Sequence, residues 1–235
     1  MEINISKKDI IWSYLANFFN IGSGFITLPL ILNKLSAEEI GLNYLMLTIS
    51  TMVSLLDFGF SPQFGRNITY VLSGSQEIQK EGVNTSNLSN NINYHLLSSI
   101  LQAAKYIYQR LSIIAFILII SFGTLYIYHV TDHFSSVEHT LPIWIFYCIS
   151  VYFNIYYTYY SSLLTGAALM KEVQIAKILS RSCYIFVAYL LLFLNLGLIS
   201  IVIANLIAPF ISRFYSHIHF YTKELKNELA NVVVS

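Results

Sequence analysis

Charge is scarce in this chain. Asp, Glu, Lys and Arg make up 11% of its 235 residues, whereas a soluble domain carries about 25%. So little polar surface cannot be wetted all round, and the remainder must face lipid. The balance of sign is also slight. A net charge of +1 with no basic stripe argues against a nucleic-acid partner. Cysteine is limited to Cys148 and Cys183. Both lie in apolar runs without a CxxC or CxxH neighbourhood, which argues against a disulfide framework or zinc site and leaves them as small buried hydrophobes. No G-x-S-x-G, Walker or H-E-x-x-H pattern occurs, so the sequence offers no catalytic residue, metal site or cofactor. Only four prolines are present, and no Pro- or Gly-rich linker or internal repeat divides the chain. One all-α membrane domain, 1–235, is expected.

Apolar residues are abundant instead, at 56% of the total with mean hydropathy +0.61. A helix crossing a hydrocarbon core of about 30 Å needs roughly 20 mostly apolar residues. Six stretches qualify: 10–32, 40–62, 111–130, 142–164, 175–194 and 198–216. The first follows Lys7 and Lys8 and superficially resembles a signal peptide, but it is long enough to span and no small-residue cleavage site follows it. Asn195, Leu196 and Gly197 suit a tight hairpin between the last two spans. A polar, turn-prone tract (NTSNLSNNIN) occupies 84–93. Beyond it Leu97, Ile100, Leu101, Ala104, Ile107, Tyr108 and Leu111 recur at helical spacing. This predicts an amphipathic helix over 94–110, lying at the inner interface before turning into the third span.

The basic residues give the orientation. Lys7, Lys8, Arg66, Lys80, Lys105, Arg110, Lys171, Lys177, Arg181, Arg213, Lys223 and Lys226 fall on one side of a six-span arrangement, and Lys34 alone falls on the other. Positively charged loops stay in the cytoplasm, so both termini are expected there, in a multi-pass protein of a plasma membrane. The N-x-S/T patterns at Asn84 and Asn87 then lie on the side where glycosylation does not occur.

No span carries a clear mid-membrane charge, which argues against a relay of paired carboxylates. Neutral polar groups remain: Asn17, Asn20, Asn154 and Asn205. They either bond between helices or line a polar cavity. Arg181 and Arg213 sit toward the cytoplasmic ends of spans five and six, and either snorkel to headgroups or recognise an anionic head. Tyr152 and Tyr156 share a helical face, where they either join an aromatic belt or stack on sugar rings. His129, His133 and His139, with Asp132 and Glu138, crowd one outer loop without helix-type ligand spacing, so a solvated loop is expected rather than a metal site. Asp57 and Arg66 flank a segment containing Gly59 and Pro62, where Pro62 is expected to kink or end the helix, and the two charges are expected to brace that bend by pairing with neighbours. Pro29 and Pro209, inside spans one and six, permit bending in a protein that alternates between open states.

The chain resembles, well over the first two spans (7–67) and mainly by topology beyond them, the N-terminal half of bacterial O-antigen and polysaccharide-unit flippases of the multidrug/oligosaccharidyl-lipid/polysaccharide exporter superfamily. The elements that carry this are LPLILNKLSAEEIGL, LLDFGF followed by Arg66, and LLTGAALMKEVQIAKI. The resemblance implies a six-helix lobe of an exporter bundle, working in surface polysaccharide or lipopolysaccharide assembly at the bacterial inner membrane. The implied cargo is an undecaprenyl-diphosphate-linked oligosaccharide, flipped to the outer leaflet. Asp57, Gly59 and Arg66 match the family's span-two signature, with an implied role in shaping the inner end. Two departures stand out: family members have twelve or more spans, and span one lacks the internal arginine that some relatives direct at the diphosphate. The resemblance therefore implies a truncated form of the transporter, a separate second six-helix lobe, or self-association. Three alternatives stand beside transport of this cargo: a non-transporting remnant or accessory membrane protein; a polymerase or acyltransferase of the same pathway, disfavoured by short outer loops without Arg; and an exporter of small cationic drugs, disfavoured by the lack of intramembrane carboxylates.

Overall fold

The protein was analysed as a computed structural model that describes residues 7–79, 89, 91–131 and 140–234. It is 87% helical, with no strand among the described residues. Five helical stretches are long and apolar enough to cross a bilayer: Ile10–Lys34, Ala37–Asp57, Tyr94–Thr131, Met170–Phe193 and Ile199–Phe220. The all-α, membrane-compatible architecture expected from composition is present.

Helix α1 (Lys7–Lys34) runs unbroken through Pro29. Its apolar side chains Tyr14, Phe18, Ile21 and Phe25 are exposed, which suits a lipid-facing helix. The chain reverses at once because Ser36 closes a capping box on α2 (Ala37–Ser54). Ser36 Oγ accepts from the Glu39 amide at 3.2 Å, and the Glu39 carboxylate accepts from the Ser36 amide at 2.9 Å. These two bonds satisfy donors that a bare helix start leaves open.

The second expected span, 40–62, is shorter than its apolar run. It closes with a 3₁₀ turn at Leu55–Asp57, and Phe58 and Gly59 are both left-handed (φ 45° and 80°). The following helix α3 (Phe60–Leu72) is separate. Pro62 therefore neither kinks nor ends the span. It lies in the first turn of α3, where a missing N–H costs little.

A larger correction concerns 94–130. The amphipathic helix forms, capped by Asn93 Oδ1 accepting from the Leu96 amide at 3.0 Å, and its predicted apolar face is buried or half-buried. It does not turn, however. Helix α4 (Tyr94–Leu118) continues through a π segment, Ile119–Gly123, into α5 (Thr124–Thr131). The 38 residues make a rod of about 57 Å at 1.5 Å per residue, far longer than the bilayer core. The face that would have lain on lipid instead packs on α3 and on later helices of the same chain. At the π segment Gly123 lies against the buried Trp144, whose ring atom is 2.6 Å from where a Cβ would stand. Trp144 Nε1 donates to Thr124 Oγ1 at 2.9 Å.

The fourth expected span, 142–164, is not one helix either. It divides into α6 (Thr140–Tyr157) and α7 (Tyr159–Gly166). Thr158 Oγ1 donates to the Asn154 carbonyl at 2.9 Å, while the Thr158 amide takes Ile155 O at 3.1 Å. A hydroxyl competing for the carbonyl four residues back tightens the turn there. Helices α8 (Met170–Phe193) and α9 (Ile199–Phe220) form the expected hairpin, with Asn195 and Gly197 left-handed. Helix α10 (Lys223–Val234) returns to pack on α4.

Two apolar cores result. One joins α1, α2, α6, α8 and α9 around Trp144, Leu192 and Ile201. The other joins α3, the first half of α4, α7 and α10 around Ile68, Leu97, Tyr108 and Leu163. In the second, α3 meets α7 on small residues. A Cβ on Gly166 would stand 2.6 Å from Ile68 Cβ and 2.7 Å from Gly65 O, and Thr69 Oγ1 donates to Gly166 O at 2.9 Å.

Candidate functional site, a two-chambered polar cleft

Two adjoining chambers open among the helices. The first, about 530 Å³, lies between α2, α4, α6 and α9. The second, about 360 Å³, lies between α1, α8 and α9. Asn154 of α6 and Asn205 of α9 line both. Their meeting has a local cause. Pro209 has no N–H to give the carbonyl of Asn205, one turn back, and Asn154 Nδ2 donates to that carbonyl at 3.4 Å. The same amide also donates to Ser150 O at 2.9 Å. One side chain thus closes a gap that proline leaves in a neighbouring helix.

The second chamber is amide-rich and cationic. Asn17 and Asn20 of α1, Asn154, Asn205, Lys177 and Arg181 line it. Arg181 is held in place: its Nε donates to the buried Ser23 Oγ at 2.7 Å, Ser23 Oγ donates to Asn20 O at 2.6 Å, and the guanidinium lies 4.7 Å from the Tyr184 ring centre. Among the described residues the terminal guanidinium nitrogens have no hydrogen-bond acceptor. A fixed fork with open donors is suited to a phosphate or carboxylate oxygen pair.

The first chamber carries hydroxyls. Ser50 Oγ and Tyr147 Oη are 2.7 Å apart, and Tyr147 also bonds Met46 O. Asn43 and Ser150 are buried in its wall. At its far end Asp57 accepts from the Tyr108 hydroxyl, and Ser61 Oγ lies 2.9 Å from Ser162 Oγ.

Five of the residues singled out from sequence for substrate contact therefore share one chamber: Asn17, Asn20, Asn154, Arg181 and Asn205. The others do not. Arg66 is exposed on α3 and donates to Gln63, and Asp57 accepts from Tyr108, so each pairs with a neighbour and Arg66 lines neither chamber. Arg213 lies 5.0 Å from the Tyr157 ring centre and donates to its hydroxyl at 3.3 Å. Tyr152 and Tyr156 stack on each other, and Tyr152 meets Phe116 of α4 edge-on. Both rings lie outside the residues lining the two chambers. Sequence reading passed over Lys177 and Gln174, although they precede Arg181 at four and seven residues on one face of α8. It also passed over Asn43, Ser50, Tyr147 and Ser150, which nothing distinguishes from other polar residues in apolar runs.

At the opposite end of the bundle from Asp57, the α1–α2 turn is tied to the α8–α9 hairpin. Glu39 Oε1 accepts from the Leu198 amide at 2.8 Å, and Lys34 Nζ donates to Asn195 Oδ1 at 3.2 Å. Among the described residues no three His, Cys, Asp or Glu side chains gather as a metal site would require. His129 lies in the last turn of α5, while His133, His139, Asp132 and Glu138 lie outside the described residues. Cys148 and Cys183 are unpaired, Cys148 within the first core. No family model, curated protein or solved structure matches the chain.

Proposed function

We propose that this chain is one lobe of a transporter that flips a lipid-linked oligosaccharide across a bacterial inner membrane. The second chamber carries this reading: Lys177 and a pre-oriented Arg181 stand among four asparagines within helices otherwise suited to lipid. Polar side chains cost free energy in hydrocarbon, and where they face a cavity they mark a substrate path. A cationic chamber beside a hydroxyl-lined one suits a cargo with a diphosphate next to sugar. The diphosphate would bond Arg181 and Lys177, while sugar hydroxyls would exchange bonds with Ser50, Asn43 and Asn154.

In this reading α6 and α7 together make the fourth of six spans, their many tyrosines lowering its hydropathy. Twelve basic residues to one place both termini in the cytoplasm. The likeness of the opening residues to polysaccharide-unit flippases supports the same function. A second six-helix lobe, or a second copy, would cover the cleft's open side. The chain does no chemistry on its cargo. Deleting the gene in its own host should stop surface glycan while lipid-linked units accumulate on the cytoplasmic leaflet. Normal surface glycan after deletion contradicts the proposal.

A further inference from the structure

Arg213, toward the end of α9, stands outside both chambers and has no carboxylate partner among the described residues. Tyrosines from the α6–α7 break hold it instead. Its Nη1 donates to the Tyr157 hydroxyl at 3.3 Å, and its guanidinium lies 5.0 Å from that ring's centre. The Tyr160 hydroxyl also bonds it, which leaves the rest of its five donors open. One turn on, His217 Nδ1 sits 3.5 Å from the same Tyr160 hydroxyl. The charges that act on the His217 ring are those of Lys226, on α10, and Arg213. Acidic residues at this end of the bundle face elsewhere. Glu172 serves Tyr215, His219 and Lys171. Tyr215 and His219 follow Arg213 and His217 by two residues, which puts them on the far side of α9. Glu224 and Glu228 flank Lys226 at the same spacing, on the far side of α10.

The depth of this cluster suits a lipid headgroup. Counted from Ile199, where α9 begins, Arg213 lies about 21 Å and His217 about 27 Å along the helix at 1.5 Å per residue. A hydrocarbon core of about 30 Å therefore ends close to His217, and the long arginine side chain reaches the same level. Next to the cations on α9, Ile207, Ile211, Phe214 and Ile218 are exposed in one apolar stripe at helical spacing. We propose that Arg213, His217 and Lys226 form a binding site for the phosphate of one anionic phospholipid, in the leaflet at the α10 end of the bundle. The guanidinium fork matches a pair of phosphate oxygens, and basic pockets of this kind collect lipid headgroups. Cations crowded around His217 repel one another, and a phosphate among them turns that repulsion into attraction. The acyl chains lie along the stripe from Ile218 to Ile207. An occupied site ties α10 to α9 and to the α6–α7 break. It stands outside the cleft, so its test does not depend on the transport reading.

The experiment uses the full chain in detergent micelles, titrated with dioleoylphosphatidylglycerol or dioleoylphosphatidylcholine, with bound lipids counted by native mass spectrometry. Wild type should hold one phosphatidylglycerol in clear preference to phosphatidylcholine. Arg213→Gln with Lys226→Gln should weaken that lipid about 30-fold, at about fivefold for each cation near a membrane surface. Lys105→Gln with Arg110→Gln removes the same charge from α4 and should leave it bound. Equal weakening in that control would mean attraction spread over the whole basic side, and it overturns the site. So does equal retention of the two lipids by wild type. Inorganic phosphate is then added as a competitor. Phosphatidylglycerol that stays bound in millimolar phosphate supports a lipid ligand, whereas its displacement assigns the site to a soluble anion and overturns the proposal. Should the double variant fail to fold, Lys226→Gln decides, because that side chain is exposed. It should weaken phosphatidylglycerol about fivefold, and unchanged binding overturns the assignment.

Discussion

The side-chain amide of Asn154 donates to the main-chain carbonyl of Asn205 at 3.4 Å, and Pro209, one turn further along α9, is the reason that carbonyl is free. A proline that interrupts one helix has thereby become a tie between two. It stands where the cationic and hydroxyl chambers meet. The tie has a measurable signature. Asn154→Ala should cost about 0.6–2 kcal/mol, the range of single bonds between membrane helices. In a Pro209→Ala background, where the α9 ladder can satisfy Asn205 itself, the same change should cost less. Thermal unfolding of the four proteins in a double-mutant cycle measures the difference. Strict additivity would show that Asn154 and Pro209 are not linked.

The turn from α1 into α2 rests on Ser36 and Glu39. Ser36→Ala removes the cap and should cost about 1 kcal/mol. Glu39→Ala should cost more, because it strips an acceptor from both the Ser36 and Leu198 amides. Gly197→Ala should also destabilise. Its φ of +64° disfavours a side chain, and the new Cβ would stand 2.3 Å from Glu39 Oε1. Unfolding midpoints that rank Glu39→Ala below Ser36→Ala support this latch, and equal midpoints contradict it.

Gly166 lets α7 touch α3. An added methyl there meets Ile68 Cβ at 2.6 Å and the Gly65 carbonyl at 2.7 Å, and neither can be moved without shifting a helix. Gly166→Ala should cost about 1–3 kcal/mol, as overpacked sites do. Gly41→Ala should do almost nothing, since no atom lies within 4 Å of its Cβ position. Comparing the two unfolding midpoints separates close packing from a general glycine effect.

Topology has its own test. Single cysteines at Asn195 and at Thr222, introduced after replacing Cys148 and Cys183, should label from opposite sides of the membrane. Asn195 is expected to react with an impermeant thiol reagent in intact cells, and Thr222 only after permeabilisation. The reverse pattern would invert the orientation drawn from the basic residues.

Much of this arrangement was legible in the sequence because length and hydropathy decide whether a helix can span. The α8–α9 hairpin announced itself through Asn195 and Gly197, and the apolar stripe from Leu97 to Leu111 was read correctly. What that stripe packs against was not legible. An amphipathic face fits an interface or a protein core equally well, and only the fold brings α3, α7 and α10 onto it. Helix breaks were misplaced for a similar reason. Pro62 drew attention as a breaker, yet Phe58 takes a left-handed conformation that few residue types favour, and no local pattern foretells it. At Thr158 the interruption follows from one hydroxyl choosing a carbonyl in its own helix. Within the cleft, residues costly in lipid (Asn17, Asn20, Asn154, Arg181 and Asn205) were found because their cost is written in their chemistry. Serines and tyrosines such as Ser50 and Tyr147 tolerate many surroundings and gave no such signal.

The central claim is that Arg181 and Lys177 meet the anionic head of a lipid-linked sugar. It is tested most directly by restoring surface glycan, in a host lacking the gene, with chains carrying Arg181→Ala plus Lys177→Ala or, separately, Arg66→Ala, each confirmed to reach the membrane at equal abundance. The double change should abolish restoration and leave lipid-linked units inside, while Arg66→Ala, which alters an exposed side chain bonded to Gln63, should restore it fully. Full restoration by the Arg181 and Lys177 double variant would contradict the account.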